Sequence, residues 1–416
     1  YYIIRIVVKQ TWKKYKWNCL NNNIEDNYIM KKTILSTAIL LATAVTSQAS
    51  AADIQMNGFG SVRFGQMVDV DGVNPMLPDL YNDDDLTFKD ESLFGIQFSS
   101  DLGDGLSATV QLTAEGSNDF DVEAHWAYIS YQINENHTVN AGRLATPLFN
   151  QSEYELVGFA HNYARLPKSV YWGFDFNTFE GVSLDSQYTF EDYFLTTKLI
   201  YGNWDGDIEG INSEFKNIVG ANASLNRDWW TIFGGALLSE FEGDIDSALT
   251  IPSVIGGVNA SGATGAEIDS FLSSISQSGK DGLYMYGGFK VDHHDWLIDY
   301  EYAQYEIQDS ADAKNKSWYL SLGRRFNEYT VTYVHEDYSQ DSDYSVLSSV
   351  ENPILQATGQ SFVDALAARN MTIDSIHVRW DFTSSAALKA DYFFGSDDRV
   401  EVGDFSGFSV GVDFIF

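Results

Sequence analysis

The stretch Leu106-Ser107-Ala108-Thr109-Val110-Gln111-Leu112-Thr113-Ala114-Glu115 alternates apolar and polar residues without a break. Successive side chains of a strand point to opposite faces, so this segment is a strand with one oily and one wet side. Phe408, Val410, Val412, Phe414 and Phe416 repeat the pattern against Gly407, Ser409, Gly411 and Asp413. Ile376, Val378, Trp380 and Phe382 do so against Ser375, His377, Arg379 and Asp381. The same period of two predicts strands near 54–69, 91–102, 105–115, 121–133, 137–144, 181–190, 193–202, 217–225, 229–238, 282–292, 296–307, 317–326, 329–338, 372–382, 386–395 and 406–416. Each of these sixteen is close to the roughly nine to eleven residues with which a tilted strand crosses a bilayer. Lys168 to Phe174 reads as a further strand; with a partner inside 239–281 or 339–371 the count becomes eighteen.

The connections sort by length. Short ones are Gly103-Asp104, Asn134-Glu135-Asn136, Glu191-Asp192, Asn226-Arg227-Asp228, His293-His294-Asp295, Asn327-Glu328 and Thr383-Ser384-Ser385. Between them lie long ones at 70–90, 145–180, 203–216, 239–281, 308–316, 339–371 and 396–405, with 116–119 the exception. All tight turns then fall on one rim and the long loops on the other, as in a membrane barrel with periplasmic turns and outer loops. The polar faces carry Arg63, Glu123, His125, Lys198, Asp299, Glu301, Arg379, Asp381, Lys389 and Asp391 in mid-strand. A dry core would charge several kcal/mol for each unpaired ion, whereas a water-filled lumen removes that cost. The apolar face therefore turns outward to lipid.

Composition agrees. The chain has 416 residues, 15% aromatics, 33 Gly and only 6 Pro, with 25 Lys+Arg against 59 Asp+Glu. So acidic a surface excludes a phosphate-binding face for nucleic acid, and so aromatic a chain is not a disordered acidic one. No G-x-G-x-x-G follows an apolar strand and G-x-x-x-x-G-K-[ST] is absent, so nothing marks a nucleotide site; the one G-x-S-x-G, Gly407-Phe408-Ser409-Val410-Gly411, lies inside an alternating strand and not at a strand-to-helix turn, so it marks no hydrolase. No cofactor is expected. Asp83-Asp84-Asp85 lacks the Gly and terminal Glu of a calcium loop and reads as a solvated tip with weak bridging of divalent cations to lipopolysaccharide phosphates. Adjacent His293 and His294 point to opposite faces of a strand end, so a polar turn is expected there and no metal site.

Met30, Lys31 and Lys32, the apolar run Ile34 to Val45, and Ala49-Ser50-Ala51 form a secretory signal with its cleavage site. Residues 30–51 are thus expected to be removed, leaving 52–416 as the barrel. Residues 1–29, rich in Tyr, Ile, Lys and Asn, read as an upstream region translated through a misplaced start, the alternative being a basic extension. Removal of 1–51 takes seven basic and two acidic residues, so 25 less seven leaves 18 basic groups and 59 less two leaves 57 acidic ones. It also takes Cys19, the sole cysteine.

From Ala52 to Phe416 the chain resembles the general porins of Gram-negative bacteria. The resemblance rests on the signal, on Asn57-Gly58-Phe59-Gly60-Ser61-Val62-Arg63, on the terminal Phe416, and most specifically on Ala141-Gly142-Arg143-Leu144, Pro147, Leu156-Val157-Gly158-Phe159-Ala160 and Ala164-Arg165-Leu166-Pro167-Lys168-Ser169-Val170-Tyr171. It implies an all-β transmembrane antiparallel barrel in the bacterial outer membrane, a third loop folded into the lumen, and a homotrimer. It also implies contact with outer-membrane lipid and lipopolysaccharide, and reading of Phe414 and Phe416 by the barrel assembly machinery. The chain departs from the family at Leu93-Phe94-Gly95 and His125-Trp126-Ala127-Tyr128, where many members carry arginines, so its wall is less basic.

The expected activity is passive diffusion of ions and small hydrophilic solutes, leaning to cations, with no catalysis. Arg63, His125, Arg143, Arg165 and Lys168, opposed by Glu153 and Glu155, are the candidate constriction, since rings of charge set ion preference. The plainer reading is that each arginine faces lumen water or ties the loop to the wall. Lys198, Arg379, Asp381 and Lys389 are candidate wall residues. A rival function is an oligosaccharide channel in which Tyr131, Phe159, Tyr163, Tyr171 and Trp172 stack on sugar rings.

Overall fold

A computed structural model describes residues 54–70, 81, 86–171, 176–208, 211–243, 251–367, 369–398 and 403–416. The signal sequence, the segment before it, Asp83-Asp84-Asp85 and Trp172 lie outside these residues. The strands are β1 Ile54–Val70, β2 Leu93–Gly103, β3 Leu106–Glu115, β4 Val122–Asn134, β5 His137–Ala145, β6 Thr178–Phe190, β7 Tyr193–Ile208, β8 Ile211–Arg227, β9 Trp230–Gly243, β10 Lys280–His293, β11 Trp296–Ile307, β12 Lys314–Phe326, β13 Tyr329–Asp341, β14 Asn370–Thr383, β15 Ala386–Asp397 and β16 Gly403–Ile415. Each pairs antiparallel with its neighbours in the chain, and β1 pairs with β16, so sixteen strands close a barrel. The eighteen-strand alternative fails at 168–174, where Lys168–Tyr171 is one helical turn, α1.

The barrel is inside out, as alternation requires. Val62, Ile129, Val182, Leu199, Val219, Ile232 and Ile376 stand exposed on its outer face, while Ser61, Thr109, Gln111, Ser183, Glu301, Lys389 and Asp413 are buried inside. β16 closes the barrel along β1 from Phe59 opposite Ile415 to Val70 opposite Phe405, and Phe416 extends that ladder. Gly58 N donates to Phe416 O at 2.8 Å and Phe416 N to Gly58 O at 2.9 Å. A Cβ at Gly58 would sit 2.2 Å from the Phe416 ring, so only glycine admits that ring against β1. The Phe414 and Phe416 rings stack with centroids 6.3 Å apart along the outward edge.

Two expectations for the long-loop rim change. Residues 203–216 are not a loop: β7 and β8 run on as one hairpin, because Trp204 pairs opposite Phe215 and both pack on Phe176 beneath the third loop. The segments 239–281 and 339–371 are not irregular either. They hold α2 Pro252–Ser261, α3 Gly265–Ile275 and α4 Pro353–Leu366, which bury Val254, Phe271, Ile275, Leu355 and Val363 around Leu347 in a core of their own. α3 opens on a capping box between Thr264 and Glu267, and Asn352 caps α4 by accepting from Ile354 N and Leu355 N.

Candidate channel and its constriction

β5 has nine residues, and the chain then turns inward. Gly142 sits at φ 138° with the site of a Cβ 2.3 Å from Ala127 O, a backbone only glycine adopts. Thr146 N donates to Asn177 O at 2.9 Å and closes the neck of the third loop, residues 146–177. One flank of this loop is apolar: Leu148, Phe149, Tyr163, Val170 and Tyr171 join Ile200, Leu237, Tyr284 and Tyr319 of the wall in one buried cluster.

The other flank is fastened by hydrogen bonds to β11 and β13–β15. Asn150 N and Tyr171 Oη donate to the two oxygens of Glu301 at 2.9 and 2.6 Å. Ser169 N donates to Glu336 at 2.9 Å, and Ala164 N to His377 Nδ1 at 3.2 Å. Arg379 donates to the carbonyls of Phe159 and His161 at 2.7 and 2.6 Å while pairing with Asp381. Lys389 Nζ donates to Gly158 O at 2.6 Å. Gly158 rests directly on the wall, since a Cβ there would be 2.7 Å from Ser61 Oγ.

Beneath Gly158 lies a buried lattice of ions. Asp413 pairs with Arg63 at 3.2 Å and Lys389 at 2.9 Å, Arg165 pairs with Asp391, and Glu91 stands 3.9 Å from both arginines. The side chains of Arg63 and Arg165 are 4% and 8% exposed and those of Asp391 and Asp413 not at all. Removing ions from water is repaid only by such close reciprocal pairing. Within the loop, burial and then the charge of Lys389 push the His161 imidazole down to about 3. Its Nε2 bonds Glu155 O at 3.0 Å.

Opposite this fastened side is open space. A cavity of about 410 Å³ lies between 147–154 of the loop and the inner face of β5–β8. Register sets its wall in rows. Thr138 stands opposite Asp185, Asp185 opposite Lys198 and Lys198 opposite Asn222; one row on, Gln187, Thr196 and Ser224 follow. Lys198 bonds Glu153 of the loop and lies 3.4 Å from Asp185, tying loop to wall across the cavity edge. Glu153 is 62% exposed.

The predicted constriction residues therefore separate. Glu153 and Lys198 meet at the cavity. Arg63 and Arg165 lie covered on the far side of the loop: Arg165 of the loop pairs with Asp391 of β15, while Arg63 of β1 pairs with Asp413 of β16. Arg143 is not in the lumen at all. It shares the outward face with Val139 and Ala141 and pairs with Glu180 at 3.5 Å, level with Asn203 above the apolar band. The resemblance had set it inside; period-two parity sets it outside. His125 sits at the bulge between Gln111 and Leu112 of the β3–β4 ladder, where parity slips by one. Glu155 offers its carbonyl to His161, and Lys168 opens α1. Of the proposed stacking aromatics, Tyr131 is 51% exposed on the outer face, while Tyr163 and Tyr171 are buried in the loop cluster. Asp413, Asp391, Glu301 and Glu336 were missed as the acids that seat the loop. Their signal was a charge on the inward parity of an amphipathic strand.

No family model matches the chain, and no curated protein matches it. Solved structures do. The outer membrane channel DcaP of Acinetobacter baumannii superposes at TM-score 0.55 and 11% identity, covering 89% of this chain and 99% of that one. The anion-selective porin of Comamonas acidovorans gives 0.51 and 14% over 88% and 100%. The trimer form of OmpT from Vibrio cholerae gives 0.51 and 11% over 88% and 100%. The fold is that of these outer-membrane barrels.

Proposed function

We propose that the protein is an outer-membrane channel, exported through a cleaved signal at 30–51, that lets ions and small hydrophilic solutes diffuse passively. The observation that carries this reading is the cavity between the third loop and β5–β8, walled by hydrogen-bonding groups inside a barrel whose outer face is apolar. A closed barrel without lipid around it would hide that outer face. The short-turn rim is then periplasmic and the helical loops are extracellular. The flow leans to cations: at the cavity, Glu153 and Asp185 face the single cation Lys198, already bound to both. No catalytic step belongs to this reading. The Ser375–His377 contact at 2.8 Å does not make a nucleophile, because His377 Nδ1 accepts from Ala164 N and Nε2 must then donate to the serine. The trimer, the lipopolysaccharide contacts and the assembly machinery follow from the resemblance, and OmpT of Vibrio cholerae, a structural neighbour, has a trimer form. In a planar bilayer under a KCl gradient the protein is expected to give stepwise currents with a cation-selective reversal potential. An anion-selective one would overturn the charge argument.

A further inference from the structure

The inner wall divides into two kinds of surface. On β11–β16 and β1 inward groups such as Glu301, Glu336, Lys389 and Asp413 are spent on the third loop or on one another. On β5–β8 they are not: Thr138, Gln187, Thr196 and Ser224 point into the cavity, half-buried or exposed, with no side-chain partner in the protein. Three of them are consecutive cross-strand neighbours, Gln187 opposite Thr196 and Thr196 opposite Ser224, and Thr138 lies in the next row. Neighbouring strands are about 4.8 Å apart, the scale on which hydroxyls repeat across a sugar ring. Facing this wall is Tyr154, 36% exposed, whose ring has one face stacked on His161 with centroids 5.7 Å apart. The cavity of about 410 Å³ falls within the roughly 300–1,000 Å³ of small-molecule sites. Anions are served poorly there. An anion would have to displace Glu153 or Asp185 from Lys198, and a cation needs none of the four neutral groups.

We propose that this wall binds a neutral polyhydroxylated ring of mono- or disaccharide size, so that the channel holds such a solute in transit as well as admitting it. The inference rests on the channel reading above and names a solute class for it. The hydroxyls and the carboxamide replace water at the ring's oxygens, and Tyr154 covers an apolar ring face. The test is the KCl current through the full-length protein in a planar bilayer, with sucrose or potassium gluconate added to one side. Sucrose is expected to reduce the current saturably, with half-block at roughly millimolar concentration. The double variant Thr196→Val/Ser224→Ala should need about tenfold more sucrose for half-block of its own KCl current, two hydrogen bonds having been lost. Tyr154→Ala should also weaken the block, and gluconate should not saturate. A sucrose effect that only follows the fall in solution conductivity, or equal saturation by gluconate, overturns the inference alone. Absence of any current in the wild type overturns the channel reading and this one with it.

Discussion

In the proposed channel, Lys198 is the residue on which ion preference would turn. It is the cation that the cavity shares with Glu153 and Asp185. Lys198→Met leaves two carboxylates facing the solute path, so the reversal potential should move severalfold toward potassium. Arg143→Ala should leave it unchanged, because Arg143 stands on the outer face with Glu180. An equal shift in both variants would put the path elsewhere. The parity that places Arg143 was present in the sequence, in Val139 and Ala141 four and two residues before it, but the likeness of Gly142-Arg143 to a porin motif outweighed it. Arg63 was read as a constriction residue, and it lies buried against Asp413. Its partner Asp413 lies 350 residues away in sequence and could not be seen. His161 carries a pH signature. Its folded pKa is lowered to about 3 from 6.5, so its contribution is complete above pH 6.5 and is lost as pH falls from there toward 3. Slopes of about 1.4 kcal/mol per pH unit follow in that window. The midpoint of heat modification in detergent should therefore fall more between pH 7 and 4.5 for the wild type than for His161→Gln. Equal falls would show that the imidazole does not titrate with unfolding.

At the scale of elements, strand positions were legible because one face of every strand meets lipid, which makes alternation strict. The upper hairpin of β7 and β8 escaped because Asp205, Asp207, Asn212 and Glu214 occupy its outward face above the lipid, which reads as loop. The helices lie outside the period-two pattern, yet Thr264-x-x-Glu267 and Asn352-Pro353 are helix start signals in the sequence. The third loop's inward fold was legible only through resemblance, since its seat is made by residues more than a hundred positions away. That seat can be broken. Asp413→Asn leaves Arg63 and Lys389 buried with one fewer anion, a change that costs about 3–5 kcal/mol in such pairs. The expected result is a loop that leaves its seat: larger and noisier single-channel steps, and a lower midpoint of heat modification. Unchanged step size would mean that the apolar cluster of Leu148, Phe149 and Tyr171 holds the loop unaided.

At the scale of the whole molecule, Phe416 extends the β1–β16 closure by exchanging two backbone bonds with Gly58, while its ring is 66% exposed toward lipid. Phe416→Ala keeps both bonds and removes only the ring. Its barrel, refolded in detergent, should therefore melt close to the wild type, whereas its amount in the outer membrane should fall sharply. A large drop in melting with normal membrane levels would make the ring a structural residue and not an assembly signal.

The central claim is that the water path runs between the third loop and β5–β8. Cys19 is the only cysteine in the sequence and lies in the segment expected to be removed, so single cysteines can report on the path directly. With Cys19 absent, Ser224→Cys at the cavity and Ala303→Cys in the apolar cluster should be compared by adding a charged thiol reagent during single-channel recording. The account predicts a stepwise loss of current at Ser224→Cys and none at Ala303→Cys. Loss at Ala303→Cys with none at Ser224→Cys would contradict it.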